Sequence, residues 1–161
     1  MKTIGIKRIL SWVLMLPLLL SAAYSAGTLS VRGAWIREAP PNAMALAGYM
    51  VIENSDAQAR ELISAKSPAF KTIELHRSLM SGGVARMVPQ PSIPVPARGQ
   101  VRLMPGDYHM MLMDPTQPLK AGDTVDVSLT FDRGETLSVK LEVKKGQGED
   151  QNHHHHMHLN Q

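Results

Sequence analysis

Two histidines and two methionines stand out by type and spacing. His76 closes the segment KTIELH, and Met87 follows in the next segment, past the turn signal Ser81-Gly82-Gly83. His109 and Met111 stand two apart in YHMMLM. In an extended strand residues i and i+2 share a face, so His109 and Met111 point one way while Tyr108, Met110 and Leu112 take the other. For His76 and Met87 the loop decides. With Ser81-Gly82 as a two-residue loop they pair directly across the ladder, and with Gly82-Gly83 they become diagonal neighbours on one face. A three-residue loop sets them on opposite faces. In either two-residue case, two short segments each present one imidazole and one thioether to a single small ion.

The donor types choose the ion. A thioether is soft and neutral, a poor ligand for Zn(II), Mg(II) or Ca(II) but a good one for Cu(I). The chain has no cysteine. Thiolate metal sites, thiol redox chemistry and Cys nucleophiles are therefore excluded, as is a blue-copper centre, which needs a Cys ligand. Neutral donors suit a carrier that must release its ion, and affinity is expected to fall on acidification because both imidazoles must be unprotonated to bind. Competing with this reading is plain packing, since methionine is a flexible core filler and the chain has 11 of them. Met44, Met50, Met104 and Met110 are read as filler. Met80 and Met113, beside the proposed site, stay open between filler and ligand. No Ser nucleophile motif, paired carboxylates or Cys–His arrangement points to catalysis, and a filled His2Met2 site would leave no open position for a substrate. The expected class is a binding protein and not an enzyme.

The amino terminus reads as a leader. Lys2, Lys7 and Arg8 precede an apolar run, Ile9 to Leu20, which is short for a membrane span and is interrupted by Pro17. Small residues follow in SAAYSA, with cleavage expected after Ala23, Ser25 or Ala26. The expected domains are a signal peptide over 1–26, a metal-binding β domain over 27–145 and a disordered tail over 146–161. Without cysteine there is no thiol to carry a lipid, so the expected product is free in the periplasm, with no membrane insertion after cleavage. The chain has 17 Lys+Arg against 14 Asp+Glu, but three of the cations lie in the leader. The remainder is balanced, and no nucleic-acid partner is expected.

Short strands must position the four donors. Candidates are Ala34–Arg37, Gly48–Glu53, Glu61–Ala65, Lys71–His76, Val84–Val88, Val101–Met104, His109–Met113, Asp123–Phe131 and Thr136–Val143, parted by Gly, Pro and Asn-Asp signals. Alternation is clearest in Val125, Val127, Leu129 and Phe131, and again in Leu137, Val139, Leu141 and Val143, which predicts a closing hairpin with one face in the core. The expected class is all-β, an antiparallel Greek-key barrel or sandwich with a flexible C-terminal tail.

The segments ELHRSLMSGGVARM and PGDYHMMLMDPTQPLKAGDTV resemble the periplasmic copper chaperones of the PCuAC (DUF461) family. Their signature is His, ten residues, Met, twenty-one residues, His, one residue, Met, and His76, Met87, His109 and Met111 meet every spacing. The resemblance runs from Ala34-Trp35-Ile36-Arg37 to the last strand. It implies a cupredoxin-like β-barrel holding Cu(I) on those four side chains. It also implies copper delivery to an acceptor, such as cytochrome c oxidase subunit II for its CuA centre or a thioredoxin-like assembly protein. The alternative is copper buffering or resistance without a dedicated acceptor. Some members similarly have a His/Met-rich extension that binds more copper. Here the tail HHHHMHLNQ offers His153, His154, His155, His156, Met157 and His158. A purification tag is the plain alternative, but the interrupted run and intact leader favour a native extension. Its imidazoles suit Cu(II), Zn(II) or Ni(II) without selecting among them and are expected to capture extra Cu(II).

Overall fold

The structure, a computed structural model, describes residues 28–146. The leader, the histidine tail and their expected roles lie outside these residues. Ten strands form: β1 Leu29–Arg37, β2 Ala45–Asn54, β3 Arg60–Lys66, β4 Phe70–Ser81, β5 Val84–Pro89, β6 Ile93–Val95, β7 Gly99–Leu103, β8 Tyr108–Pro115, β9 Thr124–Phe131 and β10 Thr136–Lys144. The expected closing hairpin is β9–β10, with Leu137 opposite Leu129 and Leu141 opposite Val125. Val125, Val127, Leu129 and Phe131 are all buried, as their alternation requires. Each side chain removed from water at this depth contributes about 1.5–3 kcal/mol.

The hydrogen-bonded order is β5-β4-β8-β2-β1-β10-β9-β3-β6, with β7 also pairing β2. All pairings are antiparallel except β1 with β10. Strand β2 is the spine. Its first half pairs β8 and its second half pairs β7, while β1 runs along its other side. A bulge between Arg32 and Trp35 bends β1, where Gly33 takes φ +60°. One core joins Leu62, Phe70, Leu75, Leu112, Phe131 and Leu141 from both halves of the bent sheet.

The closed barrel is not formed. The terminal strands of the order, β5 and β6, do not pair with each other. The reasons are local: β6 has three residues, with Pro94 lacking a ladder donor, and every residue of β5 is exposed on a hairpin that projects past the core. The all-β, largely antiparallel expectation holds, and closure does not. Strand β6 itself is absent from the expected set because a three-residue strand centred on proline carries no alternation signal. Strand β4 is longer than expected by five residues at its end, and those five build the hairpin.

Candidate metal centre

Gly82-Gly83 is the hairpin loop. Ser81 pairs Val84 across it, and both glycines take positive φ, +58° and +80°, as a type I′ turn needs. This selects the diagonal alternative. Ser78 lies opposite Met87 and His76 opposite Pro89, so His76 and Met87 are same-face diagonal neighbours. On the other side of β4, His76 lies directly opposite His109, and Glu74 lies opposite Met111. Three neighbouring strands therefore bring His76, Met87, His109 and Met111 to one face of the sheet. Behind them, Leu75, Met110 and Leu112 face the core, and Arg77 stacks on Tyr108 at 4.6 Å.

The two imidazoles are oriented by groups the sequence reading did not name. The Asp107 carbonyl oxygen lies 2.9 Å from His109 Nδ1. A carbonyl can only accept, so Nδ1 carries the proton and Nε2 keeps its lone pair. The Glu74 carboxylate lies 2.9 Å from His76 Nε2, which places the proton there and leaves the lone pair on Nδ1. Those two lone-pair atoms, His109 Nε2 and His76 Nδ1, are buried with no hydrogen-bond partner. Arg37 Nε shares that condition, but its guanidinium sits 6.0 Å from the Tyr49 ring. The histidine rings meet edge to face, with centroids 5.9 Å apart. Buried polar atoms are rarely left unpaired, and one ring nitrogen held by an oxygen while the other stays free is how ligating histidines are commonly prepared.

The two orienting groups differ in kind. Glu74 uses its side chain, two residues before His76 on the same face of β4, whereas Asp107 uses its backbone carbonyl in the turn that leads into β8. The period-two relation of Glu74 to His76 was available in the sequence, whereas the Asp107 carbonyl depends on the turn and carries no side-chain signal. Asp107 is itself pinned. Its carbonyl also accepts from the Ser78 backbone at 3.1 Å, its carboxylate accepts from Arg77 Nε at 3.0 Å, and its N–H closes the turn onto the Met104 carbonyl at 3.1 Å. Gly106, at φ +86° after Pro105, is the left-handed residue of that turn.

Exposure is graded across the four positions. His109 is 3% exposed and Met87 63%, with the His76 side chain at 14% and Met111 half-buried. Among the described residues no group of three or more His, Cys, Asp or Glu converges as a metal site, so an ion at this face would need the thioethers. The filler expectation holds for Met50 and Met110, which are buried, and fails for Met44 and Met104, which are exposed on turn-flanking positions. Met80 and Met113 both fall on the imidazole face, by the same two-residue alternation. A cleft between two loops, lined by Pro40, Met44, Leu46, Pro115 and Leu119, has Asp114 as its ionisable side chain and no paired acid and base.

Residues 29–143 match the LpqE-like family, described as "Putative lipoprotein LpqE-like". A Leifsonia xyli subsp. xyli protein carrying the name "Putative lipoprotein" is 31% identical over 124 residues, 76% of this chain and 74% of its own length. The solution structure of CuI-DR1885 from Deinococcus radiodurans is 34% identical, with 78% of this chain and 85% of that one covered and a TM-score of 0.59. The copper-bound PCuAC domain of PmoF2 shares the fold at a TM-score of 0.64 and 21% identity, over 76% of this chain and 97% of that domain.

Proposed function

The chain belongs to the LpqE-like family, and within it we propose that this member is a periplasmic copper chaperone whose cargo, Cu(I), is held by His76, Met87, His109 and Met111. The observation that carries the reading is the pair of opposed imidazoles. Each has its proton held by a neighbouring oxygen, and each has a buried lone pair with no partner, on a face shared with two thioethers. Two neutral nitrogens and two neutral sulfurs favour Cu(I) over the harder divalent ions. The 34% identity with CuI-DR1885, a Cu(I) form, supports the same choice.

The role is carriage and not catalysis. Four donors fill the coordination of Cu(I), and exposure at Met87 lets an acceptor's ligands displace the donors one at a time. One relative is named a putative lipoprotein, and we read the product as periplasmic after leader removal. The acceptor implied by the family resemblance is the CuA centre of cytochrome c oxidase. The tail histidines His153–His156 and His158, with Met157, would gather further copper as Cu(II).

The test is an anaerobic Cu(I) competition titration on the full chain and on single variants at the four positions. Tight one-to-one binding that weakens in all four variants is expected, and unchanged binding across them would overturn the site. Transfer separates chaperone from buffer: Cu(I) should pass to an apo CuA domain faster than it does through a dialysis membrane. Equal rates would leave copper buffering as the function.

A further inference from the structure

The hairpin register places a fifth donor where copper would leave. Met87 pairs Ser78, so its two diagonal neighbours on that face of β4 are His76 on one side and Met80 on the other. Diagonal positions lie about 7 Å apart between Cα atoms, a span that two long side chains close. Along the strand direction the face reads Met80, then Met87, then the two histidines, then Met111, then Met113. Met80 is 72% exposed and Met87 63%, whereas His109 is 3% exposed and Met113, at the other end, is half-buried. The donor row thus has a closed nitrogen-centred middle and one open end, built from two sulfurs at the tip of a projecting hairpin.

Resting on the quartet as a Cu(I) site, we propose that Met80 is a transfer ligand, which takes hold of Cu(I) as the ion leaves for an acceptor. The Met80 sulfur forms a bond to copper as the Met111 sulfur at the far end lets go. The imidazoles then release in turn, leaving the ion on Met80 and Met87, open to incoming ligands. Every donor is neutral, copper stays Cu(I), and no proton or electron moves. Met80 has no packing role that would explain it, because it lies outside the core and at the exposed end of β4.

The experiment uses the full chain loaded with one Cu(I), with Met80→Leu to remove the sulfur while keeping an apolar side chain of similar volume. Equilibrium affinity is measured by competition with bicinchoninate, and the transfer rate by stopped flow against excess bicinchoninate. Affinity is expected within about twofold of wild type and transfer slowed about fivefold or more. Met113→Leu, on the half-buried flank, should leave both unchanged. An unaltered rate in Met80→Leu overturns the proposal, as does equal slowing in Met113→Leu. A loss of affinity as large as that of Met87→Leu would make Met80 a resident ligand and overturn it as well. Failure of the wild type to load Cu(I) would instead strike the quartet itself, before any rate is read.

Discussion

Two buried polar groups in this molecule are treated in opposite ways. Arg60 is 4% exposed, and all three of its guanidinium nitrogens are matched: Nε to Asp132 Oδ1 at 3.0 Å, Nη1 to Glu135 Oε2 at 2.8 Å and Nη2 to the Asp132 carbonyl at 3.0 Å. His76 and His109 are each matched at one nitrogen and left bare at the other. A fully satisfied network fixes β3 to the turn after β9 and can do nothing else. A half-satisfied pair bears the desolvation cost of unpaired acceptors unless something occupies them. The difference separates a structural polar cluster from the ligand set we propose.

The largest effect should come from His109→Leu. It removes a proposed ligand, so Cu(I) affinity in the competition titration is expected to fall about 1000-fold, roughly 4 kcal/mol. Urea unfolding of the apo protein should be unchanged or slightly more stable, because the buried orphan atom goes and the Asp107 carbonyl keeps its bond from Ser78. A large stability loss would show that His109 belongs to the structural class.

Arg60→Met should behave inversely. Apo stability falls by about 3 kcal/mol, since Asp132 and Glu135 lose their cation but are exposed enough to regain some water. Cu(I) affinity should not move. Coupling between the two readouts would break the comparison.

Gly48→Ala probes the layer between them. A Cβ there would lie 3.0 Å from Leu112 Cδ1 and 3.1 Å from Met110 Cε, the residues directly behind the histidine face. Both are fully buried, so overpacking should cost about 1–2 kcal/mol in urea unfolding. A modest loss of copper affinity should accompany it as β8 shifts.

The smallest effect is pH-linked. The Asp132 carboxyl is held below its ordinary value, first by the Glu61 backbone N–H and then by the Arg60 guanidinium, against the opposing effect of burial. Its depressed pKa means that the carboxylate stabilises the fold above the unfolded value of 3.8 and that this contribution is lost as pH falls through the lower folded value. Asp132→Asn should flatten the acid limb of the stability–pH curve below about pH 4, with little change in Cu(I) affinity measured at neutral pH.

Much of this was legible in one dimension. The alternation of Val125 to Phe131 and of Leu137 to Val143 marked a hairpin, because a half-buried strand must repeat every two residues. The same period put His109 with Met111 and left Met110 to the core. Strand β6 escaped notice because Pro94 and three residues carry no periodic signal. Open edges escaped too, since closure depends on whether distant strands meet and not on any local pattern.

By itself the sequence determined the donor types, their shared faces within each strand, and hence a bias toward Cu(I). Composition also excluded every chemistry that needs a thiol. Three things were decided only by tertiary structure. One was the hairpin loop, where two positive-φ glycines chose one register among three. Another was the opposition of His76 and His109, thirty-three positions apart, which follows from β8 pairing with β4. The last was which ring nitrogen each histidine keeps free. The reason is common to all three: side-chain alternation is a local property of the chain, whereas register across strands and hydrogen-bond satisfaction exist only once separate segments meet.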